Sequence, residues 1–245
     1  MVRPVSQLVL DLGPPPAPRL DRFVVGANRE ALEAVQRLTH PQRHSGSRLV
    51  YLWGPGGSGR SHLLSGLAQA LPAQTVRSLG PASPLADFIH EPGVLTWLID
   101  DVDQLDAERQ AAAFHLFDCV AAQAEAALAS AGAAPPSQLA LMPELATRLG
   151  WGLVLQLRPL GEPETVQALQ QAFAERGLVV SSEVIPWLMT HTARDLGSLR
   201  RWVDALDRHA LEQKRPVTLP LLREVLQRLG PSGPAEGHAV ESAAR

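Results

Sequence analysis

A glycine-rich turn between an apolar strand and a helix limits the fold of this chain more than any other feature. RLVYLW is predicted to form a buried strand, GPGGSGRS at residues 54–61 turns the chain, and RSHLLSGLAQAL carries apolar residues at helical spacing. Glycines allow such a loop to direct its backbone N–H groups inward around an anion, and the helix that follows points its positive end at the same place. The segment therefore predicts a phosphate-binding loop.

Strands and helices alternate through the first two thirds of the chain, which predicts a parallel sheet covered by helices. From EPETVQALQQAF to LLREVLQRL the apolar pattern is helical only. We therefore expect an α/β domain over residues 23–160 and a small all-α domain over 161–229. The further predicted strands are GVLTWLIDD, AALASAG and WGLVLQLRPL, and the further predicted helices of the α/β domain are NREALEAVQRL with Asn28 as its cap, DAERQAAAFHLFDCVAAQAEA and MPELATRL.

The two ends of the chain differ from this folded body. VSQLVLDL is followed by GPPPAP, and each proline fixes φ and removes a hydrogen-bond donor. We expect a peptide at residues 1–12, a proline-rich spacer at 13–22 that is extended over 13–18, and a disordered tail at 230–245.

Composition excludes several classes of protein. A chain of 245 residues with one cysteine, Cys119, can bury a core but cannot form an internal disulfide, which favours a reducing cytoplasm. No apolar run is long enough to span a bilayer, and a net charge of −3 argues against a surface that binds nucleic acid throughout. The histidines have no metal-ligand spacing with the cysteine.

Two acids complete the predicted phosphate site. Asp100 and Asp101 end the second strand, and Ser61 ends the loop. In phosphoryl-transfer sites a hydroxyl and the first acid hold Mg²⁺, while the second acid can orient water. We therefore predict Ser61 and Asp100 as Mg²⁺ ligands and Asp101 as a water-orienting acid. The predicted phosphate contacts are Gly54, Gly56, Gly57, Ser58, Gly59, Arg60, Ser61 and His62.

Arg60 stands where this type of loop usually has lysine. The guanidinium keeps the positive charge but is planar and bulkier than an ammonium, so the exchange is not conservative in a tight phosphate site. We expect diphosphate binding to survive and hydrolysis to suffer. A glycine-rich turn without chemical function is the alternative.

Five segments carry a resemblance to a known family: FVVGANREALEAV, YLWGPGGSGRSHLL, LIDDVDQL, TRLGWGL and RDLGSLRRWVDALDRHAL. Together they resemble the AAA+ module of the bacterial replication initiator DnaA over residues 23–229, and within it the Hda family. The resemblance implies an AAA+ P-loop NTPase core with a helical lid, an adenine contact at Val25 and Gly26, and a bound adenine nucleotide, ADP rather than ATP, with Mg²⁺. No residues remain for a helix-turn-helix domain after the lid, so we expect no sequence-specific DNA binding.

The family also implies a function for the opening peptide. Gln7, Leu8, Leu10 and Leu12 match the hexameric peptide that binds the DNA polymerase III sliding clamp, its beta subunit. In an extended peptide the three leucines share one side, and each buried leucine contributes about 1.5–3 kcal/mol before the cost of ordering the peptide. An edge strand of the sheet is the alternative.

Arg148 in TRLGWGL matches the family's arginine finger, which would stabilise charge on the γ-phosphate of ATP bound to DnaA. A solvated surface arginine is the alternative. Glu144 stands where the initiator has a further arginine, which puts an initiator-type filament in doubt.

The residues that sense the chain's own nucleotide depart from the family. Ser130 is the nearest polar residue to the first sensor position, and the second sensor arginine falls at Gly197. Arg194 and Arg200 lie about one helical turn away and either compensate or are ordinary surface charges.

We therefore expect weak or no ATPase activity in the chain itself, and a negative regulator of replication initiation that acts on ATP bound to DnaA. An autonomous ATPase of the helicase-loader type and a non-catalytic initiator-binding adaptor are the alternatives. Whether the chain forms a homodimer is open.

Overall fold

The computed structural model describes residues 18–39, 47–192, 195–213 and 215–229. The contacts divide these residues between Gly161 and Glu162 into an α/β unit and a helical unit. The predicted clamp-binding residues Gln7, Leu8, Leu10 and Leu12, the first part of the spacer, Arg194 and the tail lie outside the described residues.

The α/β unit is built on a five-stranded parallel sheet with the order β2-β3-β4-β1-β5. This arrangement confirms the predicted α/β class. The sequence pattern does not predict β2, which lies at the edge of the sheet and contains the polar pair Arg77 and Ser78. The strands are β1 Leu49–Trp53, β2 Val76–Leu79, β3 Thr96–Ile99, β4 Ala127–Gly132 and β5 Leu153–Gln156.

Helices cover both faces of the sheet. Because side chains alternate along a strand, neighbouring residues of β1 enter different cores. Tyr51 belongs to the core that includes Phe117 and Leu145, whereas Leu52 belongs to the core that includes Val35 and Leu63. The helices are α1 Arg29–Arg37, α2 Arg60–Ala70, α3 Ala107–Ala122 and α4 Pro143–Leu149.

The helical unit has a core of its own, in which Phe173, Leu188 and Trp202 are buried. Arg176, which follows the first of its helices, pairs with Asp204 and lies 3.7 Å from Asp207. The helices are α5 Glu162–Glu175, α6 Val184–His191, α7 Leu196–Gln213 and α8 Leu219–Leu229. Among the described residues, no helix combines the length and the apolar character that a bilayer crossing requires.

The segment before α1 packs against the α/β unit. Leu20–Arg22 forms a short 3₁₀ turn, and a Cβ atom placed on Gly66 of α2 would lie 2.9 Å from Leu20 Cδ2. Residues 20–22, the last of the predicted spacer, therefore form a turn, and Leu20 packs against α2.

Asn28 is the residue immediately before α1, but its side chain does not cap the helix. Its amide donates to the carbonyl of Arg158 at 2.9 Å, and its Oδ1 accepts from the N–H of Arg158 at 2.8 Å. The side chain is buried, with 2% of the residue exposed. Asn28 thus joins the start of α1 to the chain that follows β5.

These two hydrogen bonds give a test of the role of Asn28. Serine is as good a helix cap as asparagine but is too short to bridge to Arg158, and the loss of two partly buried hydrogen bonds costs about 1–3 kcal/mol in total. We expect Asn28→Ser to lower the free energy of unfolding by about that amount in urea denaturation. Stability equal to that of the parent chain would show that Asn28 is only a cap.

Candidate functional site

The glycine-rich loop has a backbone that only glycine allows at two positions. Gly57 has a φ of 76° and Gly59 a φ of 100°, in the left-handed region, and Gly59 begins α2. A Cβ atom on Gly59 would lie 2.8 Å from the ring of Phe23, and one on Gly54 would lie 2.4 Å from the carbonyl oxygen of Leu157. The neighbouring segments therefore hold the loop in a single conformation.

Two polar groups at this loop are buried without a hydrogen-bond partner among the described residues. They are the hydroxyl of Ser58 and the Nη1 atom of Arg60. Buried polar groups in proteins nearly always have a partner, so an unpaired donor beside a glycine loop points to a bound polar ligand. The loop and its two unpaired donors fit a phosphate group.

Arg60 connects the loop to the acids that follow β3. Its Nη2 atom lies 3.6 Å from Oδ1 of Asp101, and the side chains are 13% and 35% exposed. Asp101 has a φ of 47°, and its N–H donates to Oδ1 of Asp100 at 2.9 Å. Burial raises the pKa of Asp101, the charge of Asp100 adds to this effect, and Arg60 opposes it. The structure thus brings the loop and both acids together, with Arg60 facing the second acid.

The predicted magnesium ligands are Ser61 in the first turn of α2 and Asp100 after β3. Among the described residues, no group of three or more histidine, cysteine or acidic side chains is arranged to hold a metal. A pair of protein ligands still suits Mg²⁺, which keeps several waters and takes further oxygens from phosphates. A hydroxyl and a carboxylate are of the right chemical type.

The segment that leads to α1 lies beside the loop, because Phe23 contacts Gly59. Val25 is partly buried and its carbonyl accepts from the N–H of Asn28 at 2.8 Å, while Gly26 is exposed with a φ of 47°. The predicted adenine contact at Val25 and Gly26 stays a prediction.

His62 contacts the same segment. A ring nitrogen, Nε2, lies 3.1 Å from the carbonyl oxygen of Arg19, and the ring centroid is 5.6 Å from that of Phe23. The structure therefore gives His62 contacts with residues 19–23, and its predicted phosphate contact stays a prediction.

The predicted first sensor position lies near the end of β4, where Ser130 is the nearest polar residue. Ser130 is fully buried in register with Tyr51 and Ile99, and its hydroxyl has no partner among the described residues. A Cβ atom on Gly132 would lie 2.3 Å from the hydroxyl of Tyr51. Ser130 therefore belongs to the core, and the Tyr51 hydroxyl fills the space at the end of β4.

Tyr51 and Asp103 are not predicted as functional residues by the sequence, yet they shape this end of the sheet. The hydroxyl of Tyr51 donates to the carbonyl of Ala134 at 2.7 Å, and Oδ1 of Asp103 accepts from the N–H of Ala133 at 2.9 Å. Burial and the charge of Asp103 raise the pKa of Tyr51. A single tyrosine in an otherwise apolar strand is the signal that marks this position.

The second sensor position lies in the helical unit. Gly197 is in the first turn of α7, and a Cβ atom there would meet Oδ1 of Asp195 at 3.2 Å. Burial lowers the pKa of Arg200, while Glu175 and Asp204 counteract this effect. Arg200 therefore lies among the charges of its own unit, and Arg194 is outside the described residues.

Arg148, near the end of α4, is held by its neighbours. Its Nε donates to Oδ1 of Asp118 at 2.7 Å and its Nη2 to Oδ2 at 3.4 Å. The guanidinium carbon lies 4.0 Å from the centre of the Trp151 ring and 4.8 Å from that of Phe114. The side chain is 21% exposed. Arg148 is therefore not an ordinary solvated arginine, whereas Glu144 is exposed on the first turn of α4.

The loop glycines allow a paired test of this geometry. Alanine at Gly59 must adopt a left-handed φ and displace the ring of Phe23, whereas a Cβ atom on Gly56 has nothing within 4 Å. A non-glycine residue in a strained conformation costs about 1–3 kcal/mol. We expect Gly59→Ala to lower the free energy of unfolding by that amount and Gly56→Ala to leave it nearly unchanged, as measured by urea denaturation. Equal effects of the two changes would contradict this loop conformation.

Comparison with known proteins agrees with the fold. Residues 162–226 match the family model described as the Hda lid domain. Domain III of the replication initiation protein DnaA from Thermotoga maritima is similar, with a TM-score of 0.75 and 21% identity, covering 88% of this chain and 98% of that chain. DnaA from Aquifex aeolicus, solved with AMPPCP, gives a TM-score of 0.62 and 18% identity, covering 87% of this chain and 72% of that chain.

The RuvB Holliday junction branch migration motor from Thermotoga maritima gives a TM-score of 0.63 and 16% identity, covering 89% of this chain and 75% of that chain. These likenesses confirm the predicted AAA+ fold with its parallel sheet. The chain therefore has an AAA+ fold like that of DnaA domain III, and its residues 162–226 are similar to the Hda lid domain.

Proposed function

We propose that this chain is a negative regulator of chromosomal replication initiation that supplies Arg148 as an arginine finger to ATP bound by DnaA. The observation that carries the proposal is the setting of Arg148, whose guanidinium is oriented by Asp118, Phe114 and Trp151 near the end of α4. An arginine that acts on a partner's phosphate must be near the surface and must be oriented. The Hda-type lid supports DnaA as the partner.

The chain's own nucleotide has a structural or controlling role in this proposal. The loop of residues 54–61, with His62 after it, would hold the phosphates of an adenine nucleotide, ADP rather than ATP, with Val25 and Gly26 at the base. Ser61 and Asp100 would hold Mg²⁺, which supplies charge neutralisation at the phosphates when it is bound.

Asp101 is the acid that would orient water, but its Oδ1 atom lies 3.6 Å from the guanidinium of Arg60. A carboxylate oxygen that is engaged by a guanidinium is less available to accept a hydrogen bond from water. We therefore assign weak or no ATPase activity to the chain alone.

The sliding clamp of DNA polymerase III would recruit the chain through Gln7, Leu8, Leu10 and Leu12. The support for this step is the sequence pattern, in which leucine anchors precede the proline run. When the chain is bound to the clamp, Arg148 acts at a high effective concentration near DnaA, so a peptide of low affinity for the clamp is sufficient. The step requires neither direct sequence-specific DNA binding nor a membrane, and we place it in the cytoplasm.

An arginine finger contributes about 10³–10⁵-fold to the rate of phosphoryl transfer. With DnaA, ATP and DNA-loaded clamp, we expect Arg148→Ala to reduce the stimulated rate of ATP hydrolysis by about 10³-fold or to the rate of DnaA alone. The measurement is phosphate release at saturating clamp, and binding of the variant to the clamp should be unchanged.

The double change Leu10→Ala/Leu12→Ala is the matched control, because it removes recruitment and keeps the finger. It should abolish binding to the clamp, and the stimulation should return when the concentration of the chain is raised. Full stimulation by the Arg148→Ala variant would contradict the finger and favour the non-catalytic adaptor.

The position of both acids beside the loop favours a second candidate, an autonomous ATPase of the helicase-loader type. The two candidates differ in the hydrolysis that the purified chain performs without partners. We expect that rate to be low and to change less than about twofold in Asp101→Asn. Substantial turnover that Asp101→Asn abolishes would favour the autonomous ATPase.

A further inference from the structure

One edge of the Arg148 guanidinium is hydrogen-bonded within its own chain. The atoms Nε and Nη2 form this edge, and both donate to the carboxylate of Asp118. Among the described residues, no hydrogen bond involves Nη1. An arginine has five N–H donors, so an edge occupied by a carboxylate leaves others for a phosphate oxygen.

The groups that hold Arg148 belong to well-packed elements. Asp118 lies on α3 next to the buried Phe117, and Arg148 precedes the buried Leu149 on α4. The ion pair therefore joins two helices of the same core, and its two side chains are separated by 30 positions along the sequence.

The aromatic rings fix the guanidinium further. The centre of the Trp151 ring lies 4.0 Å from the guanidinium carbon of Arg148. Trp151 is nevertheless 49% exposed. Contacts between arginine and an aromatic face are worth about 0.5–1 kcal/mol at exposed sites. Such an arrangement restricts rotamers of a side chain that otherwise has about 2 kcal/mol of rotamer entropy.

We propose that Asp118 is a positioning residue, which with Trp151 holds the guanidinium of Arg148 in the orientation that it needs at the partner's γ-phosphate. The inference rests on the proposed function of Arg148 as a finger. Restricting the side chain before the partner arrives removes an entropic cost from the reaction, and small errors in placement cost large factors in rate. Asp118 acts through Arg148 and does not itself contact the phosphate.

Asp118→Asn tests this role, because asparagine keeps the size but replaces an acceptor oxygen with an amide that repels the guanidinium. Asp87→Asn is the matched control: Asp87 is also an acid paired with an arginine, and both acid side chains are 40% exposed. The assay is the hydrolysis of ATP bound to DnaA, with DNA-loaded clamp, at increasing concentrations of the full chain.

We expect Asp118→Asn to lower the maximal stimulated rate about tenfold, with the concentration for half-maximal stimulation and the melting temperature nearly unchanged. Trp151→Leu should lower the maximal rate in the same way by a smaller factor. In the Arg148→Ala background, Asp118→Asn should have no further effect, because its contribution passes through Arg148. Asp87→Asn should behave as the parent chain does.

Two results would overturn the inference, and they separate it from the proposed function. If Arg148→Ala abolishes stimulation but Asp118→Asn leaves the maximal rate unchanged or raises it, Asp118 does not position the finger. A raised rate would mean that the ion pair with Asp118 keeps Arg148 away from the partner's phosphate and must break before Arg148 can act. If Arg148→Ala retains full stimulation, the finger itself is wrong and the role of Asp118 fails with it.

Discussion

The backbone at the carboxyl end of β1 is the constraint on which the rest of the α/β unit depends. The carbonyl of Trp53 accepts from the N–H of Leu157 at 2.6 Å, and the N–H of Gly54 donates to the carbonyl of Gly132 at 3.3 Å. These bonds continue the ladders to β5 and β4 one residue past the strands, so the glycine loop starts from a fixed point. The close approach of Gly54 to Leu157 and the bonds from Asn28 to Arg158 attach the segment after β5 to the loop and to α1. A phosphate site built from loop backbone needs this rigidity, because its donors are N–H groups that have no rotamers to adjust.

Two arginines are each paired with an aspartate, and the two pairs have different roles in the proposed function. Arg60 faces Asp101 beside the loop, where both side chains are largely buried and where a nucleotide's phosphates would compete for the same guanidinium. Arg148 faces Asp118 between two helices, where aromatic rings hold its plane and part of the side chain stays accessible. In the proposed function, the first pairing engages the carboxylate that would orient water, whereas the second orients the cation that would act on a partner. An arginine–aspartate pair would thus reduce activity where the aspartate is the reacting group and support activity where the arginine is.

Local patterns predict most of this fold, and long-range contacts account for what they miss. The apolar runs of β1, β3 and β5, the glycine spacing of the loop and the four helices of the lid are visible in short windows of sequence. The strand β2 is not, because its pairing with β3 rather than its own composition makes it a strand. Asn28 looks like a helix cap, but its partner lies 130 residues away. The acid that holds Arg148 is likewise outside any local window, since Asp118 on α3 lies 30 positions before Arg148 on α4. The family resemblance pointed to Arg148 but carried no information about Asp118 or Trp151.

The departures at the sensor positions also have a physical consequence for the bound nucleotide. Ser130 is buried and the hydroxyl of Tyr51 fills the space at the end of β4, so this end of the sheet is closed by packing rather than by a group that senses a phosphate. The unpaired donors of Ser58 and Arg60 still require a partner, and a diphosphate supplies it without any turnover. A ligand present at 100 times its dissociation constant stabilises the folded state by about 2.7 kcal/mol. In the proposed function the nucleotide would stabilise the loop and α2, and the chain would not need to hydrolyse it, because the proposed chemistry acts on a phosphate bound by another protein.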